Sequence, residues 1–482
     1  MRRTKIVCTI GPATRSEEQL ERLMRAGMNV ARLNFSHGTH EEHAQVIESI
    51  RAISKRLRYP IAILQDLQGP KIRTGRLHEH RPVMLVNGST ITLTTRPIEG
   101  TVERVSTTYK QLPSDVKVGD RILLDDGLLE LRVLDKNETD VECLIVHGGL
   151  LKEHKGINLP EVEVSVPSLS EKDREDLRFG IEQGVDYVAL SFVRKPEDIT
   201  EAKAYIRQLQ ECQGANKDCK PIPIIAKLEK PEAIERLDEI LNETDGVMVA
   251  RGDLGVEMAP EKVPLIQKRI IAKCNELCLP VITATQMLES MVNNPRPTRA
   301  EASDVANAIL DGTDAIMLSA ETASGNYPID AVEMMVRIAL ETEAGYRVNG
   351  QQSSRHALTQ ERAVSHAARA LSEQASVKAI VVFTRTGSSA HLISKDRPRT
   401  PILAYTPSEQ VYRRLALWWG IWPYHIPMEG TTEKVIADVD AHLQEESLIA
   451  CGEHVVFMGG LPVASRARTN FVKLHSVGED RV

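Results

Sequence analysis

The stretch I-I-A-K-L-E, residues 224–229, sets a lysine and a glutamate two positions apart at the end of an apolar run. In extended backbone that spacing turns Lys227 and Glu229 to one side. A second run, G-V-M-V-A-R-G-D over 246–253, ends on Arg251, Gly252 and Asp253. If the two runs are neighbouring strands, the Glu229 and Asp253 carboxylates converge on one hard cation. Two carboxylates completed by substrate oxygens and water is the usual way of holding Mg²⁺. Lys227 then stands beside that ion as a compact positive charge suited to a phosphoryl oxygen. At Gly252 no side chain keeps an anion from the backbone N–H. A third stretch, D-L-Q-G-P-K at 66–71, follows another apolar run and carries Asp66, Leu67 and Lys71 around a Gly-Pro turn.

Such residues are useful only where strand ends gather them, and the runs that precede them repeat. Eight short apolar runs occupy 5–10, 29–35, 61–66, 185–192, 222–227, 246–251, 280–285 and 315–319. Runs this apolar suit strands buried on both faces, as in a parallel sheet. Helical segments lie between them. Ser16 to Gln19 reads as a capping box with Gly27 as the stop, and Ser170 with Asp173 opens a helix that ends at Gly184. Eight βα units predict an α/β fold closed as a (β/α)8 TIM barrel rather than an open doubly wound sheet. Function then gathers at the C-terminal mouth. The run ends carry Arg32, Asn34, Ser36, Asp66, Ser191, Lys227, Glu229, Arg251, Gly252, Asp253, Thr283, Thr285, Ser319 and Glu321. Any one of these reads equally well as a cap or a solvated group, but a purely structural barrel has no use for the whole set.

Residues 72–167 separate the third run from the fourth and are poor in helix pattern. They alternate as strands do, and D-D-G at 125–127 is a hairpin turn. The chain therefore divides into a catalytic barrel (1–70 and 168–345), an inserted small β-barrel lid (71–167) and a C-terminal α/β regulatory domain (346–482). The last opens with the polar stretch G-Q-Q-S-S before a helix and has strand runs at 378–384, 401–406 and 454–458. Its loop T-R-T-G-S-S comprises Thr384, Arg385, Thr386, Gly387, Ser388 and Ser389, with a helix starting near Ser389. Hydroxyls and N–H groups at a helix start make a phosphate site, although an ordinary polar loop reads equally well from composition.

With 60 Lys and Arg against 67 Asp and Glu, the 482-residue chain has a net charge of −7. That argues against nucleic acid or a membrane surface as partner. No run approaches the roughly 18–20 apolar residues of a membrane span, and the N-terminus lacks a signal peptide's cleavage site. The seven cysteines are scattered. Cys274 and Cys278 stand i,i+4 on an expected helix without a second Cys/His pair, so they read as thiols of a reducing cytoplasm. His37, His40 and His43 invite a metal reading. A helix surface with only His37 near a ligand is preferred.

Five multi-residue motifs follow in order: A-R-L-N-F-S-H-G (31–38), I-I-A-K-L-E (224–229), M-V-A-R-G-D-L-G-V-E (248–257), T-A-T-Q-M-L-E-S-M (283–291) and N-P-R-P-T-R-A-E (294–301). With the barrel, inserted domain and C-terminal domain in that order, the chain resembles pyruvate kinase over nearly its whole length. The resemblance implies transfer of the phosphoryl group of phosphoenolpyruvate to ADP, with Mg²⁺ or Mn²⁺, in a cytoplasmic homotetramer. It places Arg32 and Lys227 at the transferring group, Glu229 and Asp253 on the divalent ion, and the Arg251–Asp253 backbone at the substrate's oxygens. It puts Thr285 at the substrate carboxylate, and Ser319 and Glu321 in the network that protonates the enolate. Asn34, His37, Arg73 and Lys155 fall on the nucleotide side. It raises the phosphate reading of residues 384–389, with a sugar phosphate or nucleotide monophosphate as effector. A Mg²⁺-dependent barrel lyase or aldolase would share the metal pair without needing Arg73, Lys155 or the lid.

Many members of that family need K⁺, held at positions matching Asn34, Ser36, Asp66 and Leu67. An acidic residue usually occupies the position of Lys71, and a Thr-Lys pair usually follows the aspartate. Here a tethered ammonium replaces the acid, which supplies a positive charge and repels a bound cation. Activity without K⁺ is therefore expected.

Overall fold

The computed structural model describes every residue except 161, 163, 213–220, 346–358, 375, 464–466 and 480–482. Eight parallel strands close into a barrel: β1 (Lys5–Ile10), β2 (Val30–Asn34), β3 (Ala62–Asp66), β4 (Tyr187–Leu190), β5 (Ile224–Leu228), β6 (Gly246–Ala250), β7 (Val281–Ala284) and β8 (Ala315–Leu318). They are the eight predicted runs with ends shifted by a residue or two, and β8 returns to β1 with Ala315 opposite Lys5. Alternation sorts the side chains. Ile6, Cys8, Ala31, Leu33 and Ile63 pack outward on the helices, while Val7, Val30, Leu64, Ile225 and Met248 fill the lumen. Each large aliphatic group buried this way contributes about 1.5–3 kcal/mol. On the inward parity the next residues are Arg32 after Val30, Asp66 after Leu64 and Lys227 after Ile225. Charge begins where the apolar filling stops.

Helix α1 (Glu17–Ala26) ends at Gly27, whose φ of 126° suits glycine. Its expected capping box is only half made. Ser16 accepts the Gln19 N–H, but Gln19 does not reach back, and its Oε1 is buried with no partner among the described residues. Helix α2 (His40–Leu57) and helix α3 (Glu171–Glu182) have complete boxes, from Thr39 with Glu42 and Ser170 with Asp173. His37 lies in the turn before α2, so the three histidines do not share a helix. His40 stacks on Phe179 and bonds Asp176, while His43 stacks on Phe35. The helix Val263–Glu276 likewise stops before Cys278, which is half-buried 3.2 Å from the Arg362 guanidinium.

The segment between β3 and α3 forms a six-stranded sheet and a two-stranded ribbon over one apolar core that includes Leu93, Ile122, Leu131 and Val141. Its D-D-G turn joins Arg121–Leu124 to Leu129–Lys136, with Asp125, Asp126 and Gly127 all at positive φ. The C-terminal sheet runs β11-β10-β9-β12-β13, from β9 (Val377–Phe383), β10 (Ile402–Thr406), β11 (Ile421–His425), β12 (His454–Gly459) and β13 (Phe471–Ser476). Sequence reading missed β11 and β13. Both are edge strands, one interrupted by Pro423 and the other alternating with Lys473 and His475. The G-Q-Q-S-S stretch lies outside the described residues. This domain caps the bottom of the barrel, where Lys395 and Arg397 meet Asp314, and Arg413 joins Arg51 on Asp186. Both aspartates are fully buried, so these pairs must stay closed.

Candidate active site

At the mouth, β2, β3 and β5 bring three charges together. Arg32 Nε donates to Asp66 Oδ2 at 2.6 Å, and its Nη1 donates to Thr9 Oγ1 at 2.9 Å. Lys227 Nζ lies 3.3 Å from Asp66 Oδ1, 2.8 Å from Glu229 Oε1 and 2.7 Å from Ser191 Oγ. Ser191 donates onward to the Leu67 carbonyl at 2.7 Å, and Glu229 Oε2 accepts the Phe192 N–H at 2.9 Å. Burial alone would lower the Lys227 pKa, but Asp66, Glu229 and Asp253 outweigh it and hold the ammonium charged. Burial would raise Asp66, yet Lys227 and Arg32 keep it below the ordinary carboxylate value. Glu229 goes the other way. Burial, with the Asp253 charge, raises it against the opposing pull of Lys227. Asp253 itself is exposed, and its carboxylate makes no hydrogen bond or ion pair among the described residues.

The strand β6 leads directly into helix α4 (Arg251–Glu257). The Arg251 side chain turns away from the mouth to brace the loop after β7. It binds Asp304 at 2.7 Å and the Thr285 carbonyl at 2.8 Å, so only its backbone faces the site with Gly252 and Asp253. Gly252 N–H donates to Thr285 Oγ1 at 2.7 Å. Thr285 holds φ at 68°, a strained conformation for a β-branched residue that persists only where its surroundings fix it. After β8, Glu321 accepts the Ser319 N–H at 2.7 Å and the Leu288 N–H at 3.1 Å. Burial raises its pKa despite those donors. Ser319 Oγ is buried and has no partner among the described residues. Thr283, also noted at a run end, faces outward and bonds Thr313 instead.

The nucleotide-side candidates come from both domains. Asn34 Oδ1 accepts the Ser36 N–H at 3.1 Å. On the lid, Arg73 bridges Gly156, and Lys155 Nζ pairs with Asp125 at 2.7 Å. His37 is held below the ordinary histidine value by burial, then by Lys71, Arg73 and Arg32, which places those cations around it. Lys71 makes no ion pair with Asp66. Desolvation, Arg73 and Lys227 lower its pKa, while Asp253 and Glu229 oppose them, although the residue remains exposed. Among the carboxylates, Asp253 and Glu229 are the ones that favour its charged form. Thr9, Phe192 and Asp304 also take part, and no motif in the sequence singles them out.

Distant from this mouth, the 384–389 loop lines a cavity of about 310 Å³ with Arg468 and Thr469. Gly387 sits at φ 90° before the helix Ser388–Lys395. Gly387 N–H donates to Thr384 Oγ1 at 2.9 Å, and Ser389 meets Thr469 at 2.6 Å. Arg385 is turned onto the Met428 carbonyl at 2.7 Å.

No helix among the described residues is long and apolar enough to cross a membrane. The family model described as "Pyruvate kinase, barrel domain" matches residues 1–332, and "Pyruvate kinase, alpha/beta domain" matches residues 362–475. A pyruvate kinase of Staphylococcus epidermidis is 47% identical over 485 residues, spanning 100% of this chain and 81% of the relative. One from Staphylococcus aureus is 48% identical over the same spans. A solved pyruvate kinase from Cryptosporidium parvum superposes with a TM-score of 0.92 at 38% identity, covering 99% of this chain and 96% of its own. None of these supports the lyase or aldolase alternative. A closed eight-stranded barrel whose mouth gathers Arg32, Lys227, Glu229 and Asp253, matched end to end by these relatives, belongs to the pyruvate kinase family.

Proposed function

We propose that this chain transfers the phosphoryl group of phosphoenolpyruvate to ADP, giving pyruvate and ATP, through the charge cluster at the barrel mouth. The observation that carries this reading is the Lys227 ammonium, fixed between Asp66 and Glu229 and kept charged by them. Phosphoryl transfer is mostly positioning and neutralisation of charge on the equatorial oxygens. Lys227 and Arg32 present two cations to that group from opposite sides of Asp66. Neither side chain needs to reorganise, because Asp66, Ser191 and Thr9 already hold both. The Gly252 and Asp253 backbone and Thr285 hold the rest of the substrate. Asn34, His37, Arg73 and Lys155 take the nucleotide, with the lid excluding water that would otherwise accept the phosphoryl group.

The donor set suits a hard divalent cation. Glu229 is a carboxylate whose pKa is raised by burial and then by the Asp253 charge, and Asp253 is exposed. Among the described residues no cluster of three or more His, Cys, Asp or Glu forms a complete metal cage, so two carboxylates would share Mg²⁺ or Mn²⁺ with substrate oxygens and water. When bound, that ion supplies further neutralisation of phosphoryl charge. Ser319, held through its N–H by Glu321, stands where a proton is delivered to the enolate, with Glu321 as its positioning residue.

K⁺ is not required in this reading. Asp66 is satisfied by Arg32 and Lys227, the Leu67 carbonyl by Ser191, and Asn34 Oδ1 by the Ser36 N–H. Lys71 adds a fixed charge nearby. The domain limits are 1–70 with 168–345, 71–167 and 346–482, and the 384–389 cavity takes a sugar phosphate or nucleotide monophosphate as activator in a cytoplasmic homotetramer. A coupled assay for pyruvate and ATP tests the reaction. Intact Mg²⁺ binding with no ATP from phosphoenolpyruvate and ADP would overturn it.

A further inference from the structure

The lid touches the barrel through a buried carboxylate that the reaction does not use. Glu257, the last residue of α4, is 5% exposed and lies between two donors from different parts of the chain. Its Oε1 accepts Asn158 Nδ2 of the lid at 2.8 Å and Lys230 Nζ of the barrel at 2.5 Å. Lys230 is itself 7% exposed and lies over the Phe192 ring at 5.7 Å. Glu257 Oε2 is buried with no partner among the described residues. The hairpin turn also faces this helix, since a Cβ placed on Gly127 would fall 3.6 Å from the Val256 side chain.

Each arm of this junction leads to the site. Lys230 follows Glu229, and Phe192 under it donates its N–H to Glu229 Oε2. Helix α4 begins with Arg251, Gly252 and Asp253. Asn158 is three residues beyond Lys155 on the lid. A buried carboxylate with two charged or polar donors on one oxygen and none on the other is costly to maintain for packing alone. Here it ties the lid's position to both carboxylate-bearing loops.

We propose that Glu257 is a positioning residue that latches the lid through Asn158 and fixes it in register with the Glu229 and Asp253 loops. The consequence for ADP rests on the reading of the nucleotide side given above, while the latch itself does not. Removing Asn158 cuts the lid arm and leaves the Glu257–Lys230 pair in place, so the barrel stays folded. The closed-to-open ratio of the lid should fall about tenfold or more, the worth of one hydrogen bond to a charged acceptor.

The test uses the full chain with fluorescent labels at Val86 on the lid and Leu265 on the barrel, both exposed, in a background with Cys212, Cys219, Cys278 and Cys451 replaced by serine. Asn158→Ala should shift the ligand-free distance distribution toward the open form without lowering Tm. Asn158→Asp, which sets a second carboxylate against Glu257, should shift it at least as far. In the same variants the KM for ADP should rise several-fold while that for phosphoenolpyruvate moves less than about twofold. An unchanged distance distribution in both variants would overturn the latch whatever the reaction. A shifted distribution with both KM values raised in parallel or both unchanged, or with only Tm reduced, would overturn the positioning role. Turnover by the parent chain tests the reaction separately.

Discussion

Lys227→Met keeps the length of the side chain and removes its charge, and the structure sets the size of both consequences. The substitution leaves Glu229, 3% exposed, with the Phe192 N–H as its remaining donor, and leaves Asp66 to Arg32 alone. Breaking a buried pair from one side costs about 3–5 kcal/mol. The lower end applies here, because Glu229 already titrates above its ordinary value and can take up a proton instead. Tm should therefore drop by several degrees while the chain stays folded at 25 °C. The catalytic loss is larger. A preorganised group opposite developing charge is worth about 10²–10³ in rate, and a cation clamped on a transferring phosphoryl group up to about 10⁵. The kcat should fall by at least about 10³. Metal affinity should also weaken as pH falls, because Glu229 loses the cation that opposes its protonation. A lactate dehydrogenase-coupled assay over a Mg²⁺ titration at several pH values, with circular dichroism melts for the fold, measures all three. A kcat within tenfold of the parent would refute the role given to Lys227.

Other changes separate the remaining parts of the account. Lys71→Glu reverses a charge that Asp253 and Glu229 favour, so turnover in K⁺-free buffer should drop about tenfold or more and return when K⁺ is added. A variant indifferent to K⁺ would remove Lys71 from that role. Ser319→Ala deletes a buried hydroxyl without a partner among the described residues, so Tm should hold or rise slightly. Exchange of pyruvate methyl protons should slow at least tenfold, and unchanged exchange would take Ser319 out of proton delivery. Lys5, buried with its ammonium donating to the Ile421 carbonyl at 2.6 Å and lying over the Trp422 ring, has its pKa lowered to about 7, chiefly by burial. Between about pH 7 and 10.5 the unfolded chain binds more protons than the folded one, so Lys5 makes stability rise with pH across that window. Lys5→Met should raise Tm by a few degrees at pH 6.5 and by progressively less toward pH 10. An equal or larger gain at high pH contradicts that linkage.

The barrel was legible because its strands are short and mostly buried on both faces, and they read as runs in which apolar residues dominate. Its chemistry was legible because the first polar residues after those runs are the ones the lumen parity turns inward. Lys227 and Glu229 needed only the two-residue period. What stayed hidden depends on distances that no local pattern carries. Arg32 and Lys227 close on Asp66 from two different strands, and Arg251 turns to Asp304 across 53 positions. Gln19 has the residue type of a capping box, but its amide oxygen is buried without a partner among the described residues and the return bond is not made. Thr283 and Thr285 are two apart yet do not share a face, because the chain leaves the strand at Ala284 and Thr285 enters the left-handed region. The junction of Asn158, Glu257 and Lys230 joins three segments, and no local pattern in any of them brings the three side chains together.

The most direct test measures pyruvate and ATP formation from phosphoenolpyruvate and ADP with Mg²⁺, in buffer free of K⁺ and Na⁺, before and after K⁺ is added. Matched yields of both products are expected, at a rate that K⁺ changes by less than about twofold. Absence of ATP would contradict the reaction. A many-fold rise on adding K⁺ would contradict the claim that Lys71 and the internally satisfied Asp66 pocket replace the ion.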